Sequence, residues 1–343
     1  MTHSLFLRGP RDAVVAPSSL REGKPGETLL EVAAVGICGS DLHYYKDGGI
    51  GSAAIRKAFV PGHEFGGWLT EDLPKRGLRK GVLVAVDPSH PCGWCEQCGK
   101  GYPNLCPNVE FIGAPPHDGA MTERLWVRND QIVPLPPGTT PLEAVMLEPL
   151  GVAIHAVGLA KPGLLERVTV LGAGPIGLLI LQLLKIAGAG EISAVEPQAH
   201  RRGLASRLGA TRATESLTAL EESVGSGGTS LVVEATNASE GFRDAVRAAC
   251  IGGRIVLVGI PDGDRYVLPA SEARRRGLKV KFARRMGDVY PRAIQLVREK
   301  LVDVESLVTR RFALADAPEA FRLHAANTPG LVKSLIVPSP TVQ

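Results

Sequence analysis

Up to about residue 149 the apolar positions come in short runs broken by turn residues. Residues 29–35 and 82–86 read as strands, the first ended by Gly36 and the second by Asp87-Pro88, and Pro61-Gly62 marks a turn just before His63. No sustained helical period stands out in this stretch, so it reads as β-rich. From Arg167 the pattern changes. Residues 167–171 form a strand candidate, a glycine-rich turn follows, residues 178–187 suit a helix, and 191–196 suit a second strand. Strand runs at 230–234 and 253–259 alternate with helical stretches such as 242–250, and 278–282 closes the series. This βα alternation predicts a parallel sheet with helices on both faces. Residues 290–299 have helical spacing, and 335–337 read as a strand returning to the first domain. The expected class is α/β in two domains, 1–149 with 284–343 and 150–283.

The chain has 343 residues, enough for two domains of ordinary size. A composition 44% hydrophobic and 22% charged suits a globular protein, and a formal net charge of +4 gives no footprint for nucleic acid. Arginines cluster at 274–276 and 284–285, as solvated surfaces often allow. No apolar stretch of membrane-spanning length is evident, and residues 1–10 lack a signal-peptide core, so neither membrane nor export is expected and a cytoplasmic setting is. In that setting six cysteines point to metal ligands before disulfides.

Two constellations carry metal chemistry. Cys38, in Gly36-Ile-Cys-Gly-Ser-Asp-Leu-His-Tyr-Tyr45, and the pair His63-Glu64 supply thiolate, imidazole and carboxylate. Three such ligands with a fourth position open is the arrangement of a catalytic zinc. The alternative for this stretch alone is a buried cysteine beside an unrelated loop histidine. Cys92, Cys95, Cys98 and Cys106 form the second constellation, with glycines at 93, 99 and 101 that suit a knuckle-like lobe. Four thiolates close a tetrahedral structural zinc; a redox dithiol or free cysteines are the alternatives.

Gly172-Ala173-Gly174-Pro175-Ile176-Gly177 follows a strand and opens a helix, with Glu196 after the next strand. Glycines at these positions permit a tight turn, close approach of a pyrophosphate and close helix–strand packing. A carboxylate at Glu196 accepts from ribose hydroxyls and repels a 2′-phosphate, favouring NAD over NADP. Arg201 could pair with a phosphate or pack on the adenine.

These motifs, with Glu148-Pro-Leu150, resemble the zinc-dependent medium-chain dehydrogenases over about residues 29–337. The His-Tyr-Tyr ending and Glu64 resemble their polyol branch, which includes sorbitol (L-iditol) and L-idonate dehydrogenases. The resemblance implies a GroES-like catalytic domain and a doubly wound Rossmann NAD domain, with two zinc ions per chain. It implies that Cys38, His63 and Glu64 bind the catalytic zinc, with Glu148 beside them, touching zinc through water or touching substrate, and in some relatives ligating directly. It further implies that Ser40 takes the substrate proton and His43 relays it. Tyr44, Phe111 and Arg285 match substrate-pocket positions, Arg285 on the weaker alignment around Arg284-Arg285-Met286. Ile176, Glu196, Arg201, Val258, Gly259 and Ile260 match cofactor contacts. A small-molecule substrate and a homo-oligomer, tetramer or dimer, are expected.

Plainer readings stand beside these. His43 could be structural, Tyr44 core, and Arg285 a surface charge. His155 reads as a core or helix-face residue and Cys250 as a small buried one. Action on a simple alcohol, threonine or a sugar phosphate is the competing activity. A non-catalytic binding protein keeping the fold is the remote one.

Overall fold

The computed structural model describes residues 1–338. Along the chain, β1 (Thr2–Gly9) and β2 (Asp12–Ser18) form a hairpin, then come β3 (Glu27–Gly36), α1 (Gly39–Asp47), β4 (Glu64–Leu69) and β5 (Leu83–Val86). β6 (Arg124–Arg128), β7 (Ile132–Pro134) and the long helix α2 (Pro141–Ala160) follow. Next come β8 (Val168–Leu171), α3 (Pro175–Ile186), β9 (Ile192–Val195), β10 (Arg212–Thr214) and β11 (Thr229–Glu234). The chain continues through α4 (Gly241–Ala248), β12 (Ala249–Leu257), β13 (Lys279–Phe282) and α5 (Tyr290–Arg298), and ends with β14 (Val308–Ala313) and β15 (Lys333–Val337).

It divides into two units, Met1–Glu148 with the segment from Val304 onward, and Pro149–Asp303. In the first unit a seven-stranded sheet runs β7-β5-β4-β3-β15-β14, with β6 also on β3. β3 shows why it is a strand: Thr28, Leu30, Val32 and Ala34 are buried while the residues between them are half-exposed, a period of two. The returning strand expected at the C-terminus is β15, antiparallel to β3 through Leu335↔Gly36.

The second unit holds a parallel sheet in the order β10-β9-β8-β11-β12-β13. The order reverses between β8 and β11, which is where such folds bind ligands. β8 is buried at all its positions, as a central parallel strand covered on both faces should be. Tyr290 and α5 were expected in the first domain, yet residues 284–303 go with the second unit, and the break falls at Asp303/Val304. Within that unit the Gln182 side chain donates to the Asp303 carbonyl (3.1 Å) and accepts from its amide (2.7 Å), and Met286 and Val289 fill the space that a Cβ on Gly151 would need. The 339–343 end of the expected first domain lies outside the described residues.

Two helices, α1 and the start of α2, add to the β-rich reading of the first 149 residues. α1 starts at a capping box in which the Asp41 carboxylate accepts from the Cys38 amide at 2.9 Å, and it ends on left-handed Gly48. α2 starts at another: Thr140 Oγ1 accepts from the Glu143 amide (3.2 Å), and the Glu143 carboxylate accepts from the Thr140 amide (2.7 Å). α2 also corrects the expectation that no long apolar stretch exists, since its 20 residues are long and apolar enough to cross a membrane. Of its most apolar window 67% is buried, so its apolarity is used within the protein, as in a core helix. The unit boundary falls inside it at Pro149, a residue with no amide to donate back along the helix. Cys250, expected to end a helical stretch and to be a small buried residue, lies in β12 and is only half-buried.

Candidate active site and metal centres

The first centre is assembled by the β3–β4 pairing. Gly36 and Glu64 are register partners, which brings the Cys38 end of β3 beside His63-Glu64 at the start of β4. One donor atom each from Cys38, His63 and Glu64 lies within 4.8 Å of the others. Gly36 has to be glycine here, because a Cβ would overlap the Glu64 carboxylate. Gly62, at φ 97, turns the chain into His63.

Asp41 ties these pieces together, and the motif reading assigned it no role. Fully buried, it accepts from the Cys38 amide at 2.9 Å and from the Gly62 amide at 3.2 Å, and its Oδ1 lies 3.6 Å from His63 Nδ1. A carboxylate facing one ring nitrogen fixes the imidazole so that the other is free to ligate. Here the other is Nε2, with Ser40 Oγ 3.5 Å away. Burial pulls the His63 pKa down, but the charges of Asp41 and Cys38 more than reverse it and raise it well above the ordinary value. The charges that favour a proton there equally favour a metal cation, and His63 Nδ1, buried without a hydrogen bond, faces one of them. The donor set therefore fits an open zinc site.

Lys333 is the second participant that the motifs did not reveal. It is 2% exposed, donates to the Ile37 carbonyl at 2.9 Å and pairs with Glu64 Oε2. Burial works against its charge, and Glu64, Cys38 and Glu148 more than compensate, so its pKa is raised. Nothing near residue 333 could have signalled this, since the partner lies across the sheet. Glu148, on α2, is also buried. Burial pushes its pKa up to about 7, with Glu64 adding to the rise and His63 and Lys333 opposing it.

The other candidates fall in different surroundings. His43 is buried on α1 with Nδ1 3.2 Å from Asp47 Oδ2. Phe111 has its ring centroid 5.4 Å from that of His63, beside the proposed zinc ligands. Tyr44 packs edge-on against Phe59 (5.4 Å) and is 5% exposed within the hydrophobic core of the first unit, which favours its core reading. Arg285 belongs to the second unit, half-buried and with a left-handed backbone at φ 53.

The four-cysteine lobe brings its sulfurs together at 3.5 Å for Cys95–Cys98 and Cys92–Cys106 and at 3.8 Å for Cys95–Cys106. Thiolates about 2.3 Å from a tetrahedral zinc stand about 3.8 Å apart, so this cluster has the shape of a closed zinc site.

In the second unit the glycine turn shows three separate requirements. Gly172 has φ 89 and leaves no room for a Cβ against Ala235 and Thr236, and a Cβ on Gly177 would overlap the Gly172 carbonyl. Gly174 precedes Pro175 at the start of α3, and a Cβ there would meet nothing, so the helix N-terminus is open to a ligand. Glu196 is buried, with Oε2 accepting from the Ala173 amide and Oε1 from the Gln198 amide, both at 2.9 Å. It therefore braces the glycine turn. Burial lowers the Arg201 pKa and Glu196 opposes that shift. Val258 and Gly259 extend β12 by donating to the Glu234 carbonyl at 2.8 and 3.2 Å, and Ile260 is exposed.

Residues 24–137 match the family model "Alcohol dehydrogenase GroES-like domain", and residues 175–299 match "Zinc-binding dehydrogenase". The chain is 32% identical over 302 residues to the sorbitol dehydrogenase of Bacillus subtilis (strain 168), covering 86% of this chain and 85% of that one. It is 34% identical over 327 residues to the sorbitol dehydrogenase of Homo sapiens, covering 93% and 91%. The crystal structure of L-idonate 5-dehydrogenase from Escherichia coli superimposes with a TM-score of 0.88 at 27% identity over 98% of each chain. With an open Cys-His-Glu centre, a four-thiolate lobe and a dinucleotide turn on a parallel sheet, the chain belongs to the zinc-dependent medium-chain dehydrogenases, in their polyol dehydrogenase branch.

Proposed function

We propose that the protein oxidises a secondary alcohol of a polyol or sugar acid, or reduces the corresponding ketone, with NAD as hydride partner. The observation that carries this reading is the three-donor set Cys38, His63 and Glu64, with Ser40 Oγ 3.5 Å from the ligating edge of His63. When bound, zinc supplies Lewis acidity toward the substrate oxygen and NAD supplies the acceptor for the hydride leaving carbon. Cys38 and Glu64 contribute negative charge to the site, and Asp41 and Lys333 fix the positions of His63 and Glu64. Ser40 accepts the proton of the substrate hydroxyl, and His43, held by Asp47, passes it toward solvent. Glu148 places a buried carboxyl beside them, where it would touch the substrate. The turn at Gly172–Gly177 holds the pyrophosphate and Glu196 the adenosine ribose, which disfavours a 2′-phosphate. The four-cysteine lobe holds a second, structural zinc. Assembly into dimers or tetramers and a cytoplasmic location go with this reading.

The test is initial-rate measurement of NAD+ reduction with polyols, aldonates, short secondary alcohols, threonine and sugar phosphates in parallel. The highest kcat/KM should fall on a polyol or aldonate. A preference for a short alcohol, threonine or a sugar phosphate would replace this substrate class. Absence of turnover in zinc-replete protein with every class would remove the catalytic reading.

A further inference from the structure

Three backbone segments of the second unit converge on one buried carboxyl, that of Glu234 at the end of β11. Its Oε1 accepts from the Thr236 amide at 2.7 Å and from the Thr236 hydroxyl. The same oxygen occupies the space that a Cβ on Gly241 would need, at the start of α4. Its Oε2 makes no hydrogen bond and lies where a Cβ on Gly259 would be 2.8 Å away. Gly259 is pinned through both of its backbone polar groups. Its amide donates to the Glu234 carbonyl at 3.2 Å, and its carbonyl accepts from the Tyr266 hydroxyl at 2.7 Å. Tyr266 is itself held edge-on to Phe242, with ring centroids 5.6 Å apart, and tilted against Phe282 at 5.7 Å.

The place of this clamp gives it a meaning beyond packing. A doubly wound sheet binds a dinucleotide as two halves, one on each side of the strand-order reversal. Glu196 lies past β9, in the half that takes the adenosine, while residues 258–260 lie past β12, in the other half, which takes the nicotinamide nucleotide. Burial raises the Glu234 pKa, against the hydrogen bonds from Thr236, and so disfavours its charged form. The Glu234 carboxyl thus stands against Gly259 while the Tyr266 hydroxyl holds the Gly259 carbonyl.

We propose that Glu234 and Tyr266 are positioning residues for the nicotinamide half of the cofactor site, acting by setting the path of residues 258–260. The proposal rests on reading those residues as cofactor contacts. NADH and ADP-ribose titrated against the zinc-loaded full chain test it, because ADP-ribose lacks the nicotinamide. Tyr266→Phe keeps the ring and removes one hydrogen bond. It should weaken NADH binding about 3- to 10-fold, the range one neutral hydrogen bond commands, and leave ADP-ribose within about twofold. Glu234→Ala should do the same, and Glu234→Gln, a neutral isostere, should restore NADH affinity. If Glu234→Ala does not fold, Tyr266→Phe and Glu234→Gln carry the test. Equal weakening of both ligands, or of neither, would overturn the proposal. Failure of the folded wild-type chain to bind NADH at all would overturn the dinucleotide reading itself, and it is visible before any variant is made.

Discussion

Lys333 Nζ is bonded to the Glu64 carboxylate inside the first unit, with Lys333 2% and Glu64 1% exposed, and the same ammonium caps the Ile37 carbonyl at 2.9 Å next to Cys38. The pair joins β15 to the ligand-bearing end of β4. Removing one member of a buried ion pair leaves the other uncompensated, at a cost of about 3–5 kcal/mol. Lys333→Met should lower stability by about that much in chelator-treated protein. The loss should be smaller in zinc-loaded protein, where a cation still faces Glu64. Thermal melts with and without chelator measure both, and equal losses in the two would mean that Glu64 does not face the metal.

Metal content separates the two centres. Zinc-replete protein should hold two zinc ions per chain by elemental analysis. Cys95→Ser should lose the ion of the four-thiolate lobe, leaving about one, and should lower the melting temperature while the other ion stays. Because thiols must lose protons to ligate, zinc uptake by the lobe should weaken as pH falls from 8 to 6. One zinc in the wild type would contradict the paired-site reading.

Glu196 accepts from the amides of Ala173 and Gln198, so replacing it removes more than the proposed ribose contact. Glu196→Ala should weaken NADH by about 10-fold or more, since hydrogen bonds to a charged group are worth about 1.5–3 kcal/mol. NADP binding should fall less, because the repulsion of the 2′-phosphate goes with the carboxylate. Adding Pro197→Arg should then raise the ratio of NADP to NAD affinity. A ratio unchanged from wild type would show that Glu196 serves only the glycine turn.

The pairing of His43 with Asp47 at 3.2 Å bears on the proton path. His43→Ala should reduce turnover about 10-fold, below the roughly 10²–10⁴-fold of a full general acid–base group, because water can substitute for a relay member. The loss should be largest at mildly acidic to neutral pH, and imidazole buffer should partly restore the rate. Asp47→Asn should cost only about twofold, as expected for a half-exposed i,i+4 pair. An unchanged pH profile in His43→Ala would leave Ser40 handing its proton to water directly.

Glu234 ties stability to pH. Its folded-state pKa is raised by burial, against the hydrogen bonds from Thr236, and the Tyr266 phenol is pushed up to about 12, first by burial and then by Glu234. The folded chain therefore keeps a proton that the unfolded chain releases above the ordinary carboxylate range. The associated stability is present at and below that range and falls as pH rises through it, until the folded carboxyl ionises too. Glu234→Gln should match wild type at pH 4–5 and exceed it at pH 8 in thermal melts. A wild type more stable than the variant at pH 8 would show that folding favours the ionised carboxyl, against a raised pKa.

What was legible in the sequence was local. The cysteine lobe could be read because Cys92, Cys95 and Cys98 are spaced to converge around tight turns, and their sulfurs do meet Cys106. The glycine turn could be read because the crowding that demands Gly177 comes from Gly172, only a few residues away, and the crowding at Gly172 comes from the adjoining strand end at Ala235-Thr236. The helix beginning at Pro141 was equally legible, since Thr140 and Glu143 form a capping box. It was missed because α2 is buried through much of its length and shows no polar stripe to give it a helical period. Tertiary structure decided whatever depends on strands meeting far apart in the chain. The β3–β4 register set Cys38 beside Glu64, and the β15–β3 pairing delivered Lys333 to the same carboxylate. Tyr44 came to rest against Phe59 in the core, and Gln182 bound Asp303 into the second unit. A buried charge or core position is specified by the partner that folding brings to it, and no window of sequence around Lys333 or Tyr44 contains that partner.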